Sequence, residues 1–435
     1  MAPPEAVNLT PPRFRSGKHR CKARLLWSGR PGQHPIPFEL ISRKCALLTL
    51  TGRYEAASLM LSACVPKAES MGDRRWAASL SGDLARALNV QGEAGAALPH
   101  AERARGLMAE LKDDAGLARV IHTLAGIYSN LGQGERAHQL TMELLDLADR
   151  TGQAWLSVQT LFQLREELGM DAAADRISGH LERARRDGDK LLTAMACFYL
   201  GDIRMNTGRW AEAEVCNIEQ YRLARETGDR MGMSYAIGDR GLISHGQGRY
   251  REAIDCYLEK LEISEAMGDF YNIFEALVNI GDAHAMLAEF PKALEFFSRA
   301  EAHTRRHQVP HSLSKSLYLK AKCLFDLGDL RRAGEANREA LEIAREIGYG
   351  YVAFNSSLLE ARLAAAGDPG KALSMLEALL PTASEPEEEG DVRYELYRLT
   401  GDPGHRSEAL RLYRLFYERR RLHCTLERIR ELEGA

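Results

Sequence analysis

Apolar residues recur along this chain with a helical period, and the helical stretches are separated by turns about 40 residues apart. In the turn Gly52-Arg53-Tyr54-Glu55-Ala56-Ala57 an aromatic residue follows the glycine by two positions and an alanine follows it by five. The glycine and alanine positions, with Ala288 in place of one glycine, recur nine times: Gly52/Ala57, Gly92/Ala97, Gly132/Ala137, Gly169/Ala174, Gly208/Ala213, Gly248/Ala253, Ala288/Ala293, Gly328/Ala333 and Gly367/Ala372. This self-similarity predicts an array of helix–turn–helix repeats.

Each turn has a physical role in the predicted repeat. Glycine adopts the left-handed conformation that ends a helix without a Cβ clash. A second small residue precedes most turns by seven positions, where two antiparallel helices would approach closely. These residues are Cys45, Ala85, Ala125, Gly201, Gly241, Gly281 and Ala321.

The second helix of a repeat carries its own stop signal. Four glycine–aspartate pairs combine a helix-ending glycine with an aspartate that caps the next helix: Gly72-Asp73, Gly188-Asp189, Gly228-Asp229 and Gly268-Asp269. No alternation of period two is long enough to predict a strand. The sequence therefore predicts an all-α protein.

The combination of a small residue, a Gly-x-aromatic turn and an alanine resembles the tetratricopeptide repeat over residues 39–423. The resemblance implies a right-handed superhelical solenoid of antiparallel helix pairs. Its 40-residue unit is similar to the arrays of kinesin light chains and LGN-type polarity adaptors. The segment from Tyr394 to Asp402, followed by Ala409 to Tyr413, resembles the C-terminal sensor arrays of large bacterial signalling proteins.

Charge and composition divide the chain into three segments. Residues 1–38 contain seven prolines and seven basic residues against the single acid Glu5, which predicts a disordered basic tail. A nucleic-acid or acidic-lipid contact and a targeting peptide are the alternatives for this tail. Residues 39–381 form the predicted solenoid of about nine repeats, and residues 382–435 an atypical repeat that ends on a basic capping helix.

Two irregularities are expected within the array. The repeat around Gly169 is three residues short and has bulky Phe162 at a small-residue position, which predicts a bend. The acidic stretch 382–391 predicts a looser, turn-rich joint before the last repeat. The helix after that joint carries Arg419, Arg420, Arg421, Arg428 and Arg430.

Signals for catalysis and metal binding are weak. Gly367-Asp368-Pro369-Gly370-Lys371-Ala372 superficially resembles a phosphate loop, but Ala365 and Ala372 occupy the positions of its first glycine and its Ser/Thr. The eight cysteines form no C-x-x-C pair, and the histidines are scattered. We therefore expect no enzyme activity, no cofactor and no metal site. No apolar run is long enough for a membrane span, and we expect a cytoplasmic protein.

The predicted binding surface is the concave groove lined by the first helix of each repeat. If the small residue sets the register, nine polar or aromatic side chains of the central repeats face this groove. They are Tyr199, Asp202, Asn206, Tyr235, Asp239, His245, Glu275, Asn279 and Asp282. Amides pair with a peptide backbone, carboxylates select basic side chains, and tyrosines supply contact area.

Three functions remain open at this point. The first is a non-catalytic scaffold or adaptor that binds a protein or an extended, basic peptide segment. The second is a ligand- or peptide-sensing array of a bacterial signalling system, split from its effector domain or acting in trans. Binding of RNA is the third, and the acidic residues of the predicted groove disfavour it. The sequence predicts no oligomeric state.

Overall fold

The computed structural model describes residues 38–50, 54–91, 93–131, 133–307 and 309–434, and the described residues are almost entirely helical. The first half contains α1 (Phe38–Leu50), α2 (Tyr54–Ser70), α3 (Arg74–Val90), α4 (Ala94–Glu110), α5 (Asp114–Asn130), α6 (Gly134–Arg150), α7 (Ala154–Gln163), α8 (Arg165–Leu168), α9 (Met170–Asp187), α10 (Lys190–Asn206) and α11 (Trp210–Thr227). The predicted disordered tail, apart from Phe38, lies outside the described residues.

The second half continues the same alternation of first and second helices. It contains α12 (Arg230–Gly246), α13 (Tyr250–Met267), α14 (Phe270–Met286), α15 (Phe290–His307), α16 (Pro310–Asp326), α17 (Leu330–Glu346), α18 (Gly350–Ala365), α19 (Pro369–Leu379), α20 (Pro386–Thr400), α21 (Pro403–Arg420) and α22 (His423–Gly434). A short 3-10 helix spans Leu380–Thr382. Ten antiparallel helix pairs, from α1–α2 to α20–α21, therefore precede the last helix, and the predicted all-α solenoid is confirmed.

Small residues hold the paired helices together, as the sequence predicts. All nine alanines of the turn motif are buried. A Cβ built on Gly241 would lie 2.7 Å from Cδ1 of Tyr257, and one on Gly281 would lie 2.7 Å from Cε1 of Phe297. A larger residue at either position would force the helices of its pair apart, because protein interiors are close-packed.

The helix ends follow the predicted signals. Gly188, Gly228 and Gly268 have positive φ angles of 71°, 71° and 67°, and each ends a second helix. The aspartates that follow them accept a hydrogen bond from a backbone N–H in the first turn of the next helix, as in Leu192 N–H to Asp189 Oδ1 at 3.0 Å. Ala288 adopts the same left-handed conformation as the turn glycines, with φ 56°.

The short repeat is interrupted within its first helix. The chain leaves α7 at Leu164 and continues as the single turn α8, and Gly169 with φ 87° then precedes α9 as its N-cap residue. Phe162 is partly buried and packs against the hydrophobic core that α9 and α10 share. The bulky residue is therefore accommodated where the first helix is broken.

Two expectations about the C-terminal part were wrong. The acidic stretch is mostly helical, because Pro386 starts α20 and its first turn carries Glu387, Glu388 and Glu389, which the helix dipole favours. The expected single basic helix is two helices, since Arg421 has φ 50° and separates α21 from α22. Arg419 and Arg420 end the first, and Arg428 and Arg430 belong to the second.

The extensive contacts between the described helices join near neighbours along the chain, and one smaller contact joins distant helices. The end of α21 returns to contact α10, which belongs to the fifth pair. None of the described helices is long and apolar enough to cross a membrane. No group of three metal-ligating side chains occurs in the part of the chain that the structure describes.

Candidate functional site

The first helices of the central repeats share one surface, which we call the groove. The nine predicted side chains come from three of these helices: α10 supplies Tyr199, Asp202 and Asn206, α12 supplies Tyr235, Asp239 and His245, and α14 supplies Glu275, Asn279 and Asp282. Tyr235 and Glu275 are exposed, and the other seven are partly buried. This intermediate exposure is expected for a surface that is recessed but open to water.

Aromatic rings connect three repeats along the groove. The ring centroids of Phe162 and Tyr199 lie 4.5 Å apart, those of Phe198 and Tyr199 5.2 Å apart, and those of Phe198 and Tyr235 5.7 Å apart. The guanidinium of Arg165 lies 4.1 Å from the centroid of the Phe162 ring. The sequence prediction included the two tyrosines and missed both phenylalanines, which place the tyrosines in a continuous apolar contact surface.

Asp202 and Asn206 form a polar pair one helical turn apart. The Asn206 side-chain amide donates to Asp202 Oδ2 at 3.0 Å and to the Asp202 carbonyl at 3.0 Å. Burial raises the pKa of Asp202, and Arg165, Asn206 and Arg420 oppose that shift. Because its N–H groups are engaged within α10, Asn206 offers chiefly its carbonyl oxygen to a ligand.

A buried lysine from a second helix enters the groove. Lys260 of α13 is only 5% exposed, and its Nζ lies 2.9 Å from Glu275 Oε2. Its stem passes where Gly238 has no side chain, since a Cβ there would lie 2.9 Å from Lys260 Cδ. The lysine therefore neutralises Glu275, one of the predicted carboxylates.

Asp239 lies beside this pair and has the largest pKa shift of the nine side chains. Burial raises the pKa of Asp239 to about 7, Lys260 opposes the shift, and Asp202 and Glu275 add to it. At neutral pH this carboxyl is therefore divided between its protonated and ionised forms. A cation at this position would favour the ionised form.

His245, Asn279 and Asp282 line a cavity of about 560 Å3 between the groove and the C-terminal helices. His245 Nε2 lies 3.4 Å from Asp282 Oδ2. The opposite walls carry charges of both signs: Lys315, Lys322, Glu387, Asp391, Glu427, Arg428 and Glu431. The size lies within the range of ordinary ligand pockets, and the lining suits a polar or zwitterionic group.

Two carboxyls of the cavity wall have raised pKa values. Burial and the neighbouring Asp391 raise the pKa of Glu387 to about 7, and Arg420 and Lys322 oppose that shift. Burial also raises the pKa of Asp391, which accepts a hydrogen bond of 2.5 Å from the Tyr413 hydroxyl. The sequence prediction missed this wall because it treated residues 382–435 only as an atypical repeat that ends on a basic capping helix.

The groove is therefore of mixed charge. Arg165, Lys260 and Lys322 alternate with the predicted carboxylates. Lys260 had a recognisable signal in the sequence, since the equivalent position of the next repeat is the buried Ala300. A lysine in register with a core alanine must either snorkel or find a partner, and here it finds Glu275.

Comparisons with known proteins identify the repeat. Tetratricopeptide-repeat family models match residues 232–306 and residues 314–347. No curated protein sequence matches the chain. The helices α12 to α17 of the central and following pairs lie within these matched segments almost completely.

Several solved structures have a similar fold. A Rap protein complexed with competence and sporulation factor has a TM-score of 0.56 and 14% identity, and the match covers 82% of this chain and 99% of that chain. The apo form of RapI has a TM-score of 0.55 and 14% identity, with 79% and 97% covered. The match to a Signal Transduction ATPase with Numerous Domains from Pyrococcus horikoshii, which has a tetratricopeptide-repeat sensor, has a TM-score of 0.52 and 13% identity and covers 73% of this chain and 52% of that one. At these identities the likeness shows a shared fold.

Proposed function

We propose that this chain, a tetratricopeptide-repeat protein, is a non-catalytic regulatory scaffold that binds a protein or an extended peptide segment in its groove. The observation that carries the proposal is the continuous surface from the aromatic rings at Phe162, Tyr199 and Tyr235 to the cavity beside Asp282. Aromatic area combined with regularly spaced polar groups is typical of surfaces that bind extended segments.

The segment that fits best carries basic side chains. Asp202 and Asp282 are two repeats apart and hold equivalent positions on their helices, so their carboxylates point the same way along the groove. Asp239 and Glu275 lie between them and share the single cation Lys260. A basic side chain placed between Asp202 and Asp239 would meet two carboxyls and relieve the cost of ionising Asp239.

A regulatory sensor is the second candidate, and the cavity favours it. A volume of about 560 Å3 suits a small molecule or the end of a short peptide better than a long segment. Two structural neighbours, the Rap protein complexed with competence and sporulation factor and the ATPase with a tetratricopeptide-repeat sensor, support the same idea. In this role the chain would act in trans on a separate effector.

We also propose that the protein is cytoplasmic. Six of the described cysteines, Cys64, Cys197, Cys216, Cys256, Cys323 and Cys424, are free thiols, and four of these six are buried. They pack as small apolar side chains, which suits a reducing compartment.

The experiment is to identify the partner by pull-down from the native cell and to measure its affinity for an Asp202→Lys/Asp239→Lys double variant. The measurement is made at pH 8, where Asp239 is mainly ionised. We expect weaker binding than for the wild type, with a loss that grows as salt is lowered, because salt screens exposed charge contacts.

The matched control is Asp175→Lys/Asp255→Lys, which changes the net charge equally at exposed positions of the second helices α9 and α13. Circular dichroism verifies that both proteins are folded. Equal affinity of the two double variants would contradict the groove as the binding surface. Binding of a small signalling peptide, without a protein partner, would favour the sensor.

A further inference from the structure

The C-terminal segment docks on the edge of the groove far from its own position in the chain. Residues 419–423, which join α21 to α22, lie against the turns that follow α10 and α12. Arg419 Nη2 lies 3.6 Å from Glu166 Oε2 of α8. The ring centroids of His423 and Tyr250 are 6.2 Å apart.

Two turn glycines make this close approach possible. A Cβ on Gly208 would lie 3.2 Å from the carbonyl oxygen of Arg420, and one on Gly248 would lie 2.6 Å from Cδ2 of His423. Every other described glycine with a positive φ angle has open space around its Cβ position. The turns at Gly208 and Gly248 are therefore covered, whereas the Cβ positions of the equivalent described glycines Gly169, Gly328 and Gly367 face open space.

The docked segment brings a cation to the groove. Arg420 is partly buried, and its Nε has no hydrogen-bond partner. The charge of Arg420 lowers the raised pKa values of both Asp202 in the groove and Glu387 in the cavity wall. Because the backbone of Arg420 lies against Gly208, just after the helix that carries Asp202, its charge acts on this carboxyl together with the larger influence of Arg165, as a basic side chain of a ligand would.

We propose that residues 419–423 form an autoinhibitory latch, which closes the second half of the solenoid around the cavity and holds Arg420 as an internal substitute for a basic ligand. The inference rests on the proposed function, because a latch inhibits only if the groove binds. Opening the latch separates Arg419 from Glu166 and His423 from Gly248, and it uncovers the Asp202 end of the groove. A ligand therefore competes with the chain's own C-terminal segment.

The first test measures the latch without any ligand, by amide hydrogen exchange of the full chain. We expect slow exchange for residues 421–427 in the wild type and faster exchange in an Arg419→Glu/His423→Ala double variant. Arg411→Glu is the control, because Arg411 is exposed on α21 and pairs with Glu408 of the same helix. Equal exchange in the double variant and the control would overturn the latch.

The second test measures competition with a nona-arginine peptide as the probe, at low salt. Arg420→Gln removes the internal cation, and we expect it to bind the probe about two- to fivefold more tightly than wild type, as for one exposed charge contact. Arg411→Gln should match the wild type. Equal affinities of Arg420→Gln and Arg411→Gln would overturn the autoinhibition. Failure of every protein to bind the probe would contradict both the basic-segment proposal and the autoinhibition, while the exchange experiment would still decide whether the latch exists.

Discussion

The aromatic ring of Tyr257 fills the space that a side chain at Gly241 would need, with Cδ1 of the ring 2.7 Å from the position of the missing Cβ. The pair Gly281 and Phe297 repeats this contact one repeat later, and its members are again 16 residues apart. Glycine on the first helix and a ring on the second are therefore one packing unit, which sets how closely α12 and α13 approach.

Replacing Gly241 by leucine should destabilise the fold. The new side chain overlaps the Tyr257 ring in a close-packed interior, and the expected cost is about 1–3 kcal/mol or more. The control is Gly179→Leu, since Gly179 is exposed on α9 with open space around its Cβ position. That change should be neutral or stabilising, because leucine favours a helix more than glycine does. Thermal unfolding measures whether the melting temperature falls for Gly241→Leu and stays the same or rises for Gly179→Leu. An unchanged melting temperature for Gly241→Leu would refute the packing unit.

Asn217→Ala should weaken the junction between the fifth and sixth pairs. The buried Asn217 amide donates to the Ala236 carbonyl at 2.6 Å, and Asn337, three repeats later, donates to the Ser356 carbonyl at 2.8 Å. Loss of the donor leaves a buried carbonyl without this partner, which costs about 1–3 kcal/mol. Denaturant unfolding measures the loss. Asn130→Ala, which removes only an exposed hydrogen bond to Asn89, should cost clearly less.

Asp239→Asn should stabilise the protein more at high pH than at low pH. The pKa of Asp239 is raised from 3.8 to about 7 in the folded state, so the folded state binds the proton more tightly than the unfolded state does. The stability that the protonated Asp239 carboxyl contributes is complete below pH 3.8. It is lost as pH rises from 3.8 to about 7, and it stays lost at higher pH. Asparagine does not titrate, so the variant does not lose stability as pH rises. Its free energy of unfolding at pH 8 should exceed that of the wild type by about 1–3 kcal/mol.

Melting temperatures of wild type and Asp239→Asn across pH 4 to 8 test this expectation. The difference between the two proteins should widen with pH and then level off above pH 7. A constant difference over this range would mean that the pKa of the Asp239 carboxyl lies at or below its ordinary value, as it would if Lys260 held the carboxyl ionised.

Deletion of residues 1–36 should leave the melting temperature unchanged, because their proline-rich composition offers little apolar surface to bury. Deletion through residue 50 also removes α1 and should destabilise the protein. That helix buries Phe38 and Cys45, and the ring centroid of Phe38 lies 6.1 Å from that of Trp76. A large loss from the shorter deletion would show that the tail packs on the first repeat.

The sequence predicts the fold well because the contacts that build it are local and periodic. Gly241 and Tyr257 are 16 residues apart, and Asp189 caps a helix that starts at the next residue. The same spacings recur in each repeat, so one correct register assigns the helices and turns along most of the array. Errors appear where the period ends, at Pro386 and at Arg421.

The candidate site is only partly predictable, since two of its elements depart from the repeat pattern. Lys260 occupies a second-helix position that supplies a core residue one repeat later, Ala300, so the register signals its burial but not its partner Glu275. The contacts of Arg420 and His423 join parts of the chain that are far apart in sequence, and no repeat spacing relates them. The positions on the first helices follow from the register, whereas their neutralising cations do not.

The return of α21 to Gly208 also alters how the array behaves as a polymer. An open solenoid is a one-dimensional chain of nearest-neighbour interfaces, so its last repeats fray without affecting distant ones. Contact between the tenth pair and the fifth pair makes this half a cycle, in which the last repeats are held at both ends. Loss of any interface between α12 and α20 would then also release the segment that contacts Gly208. Unfolding of one repeat would therefore affect the Asp202 end of the groove directly, without unfolding each intervening helix.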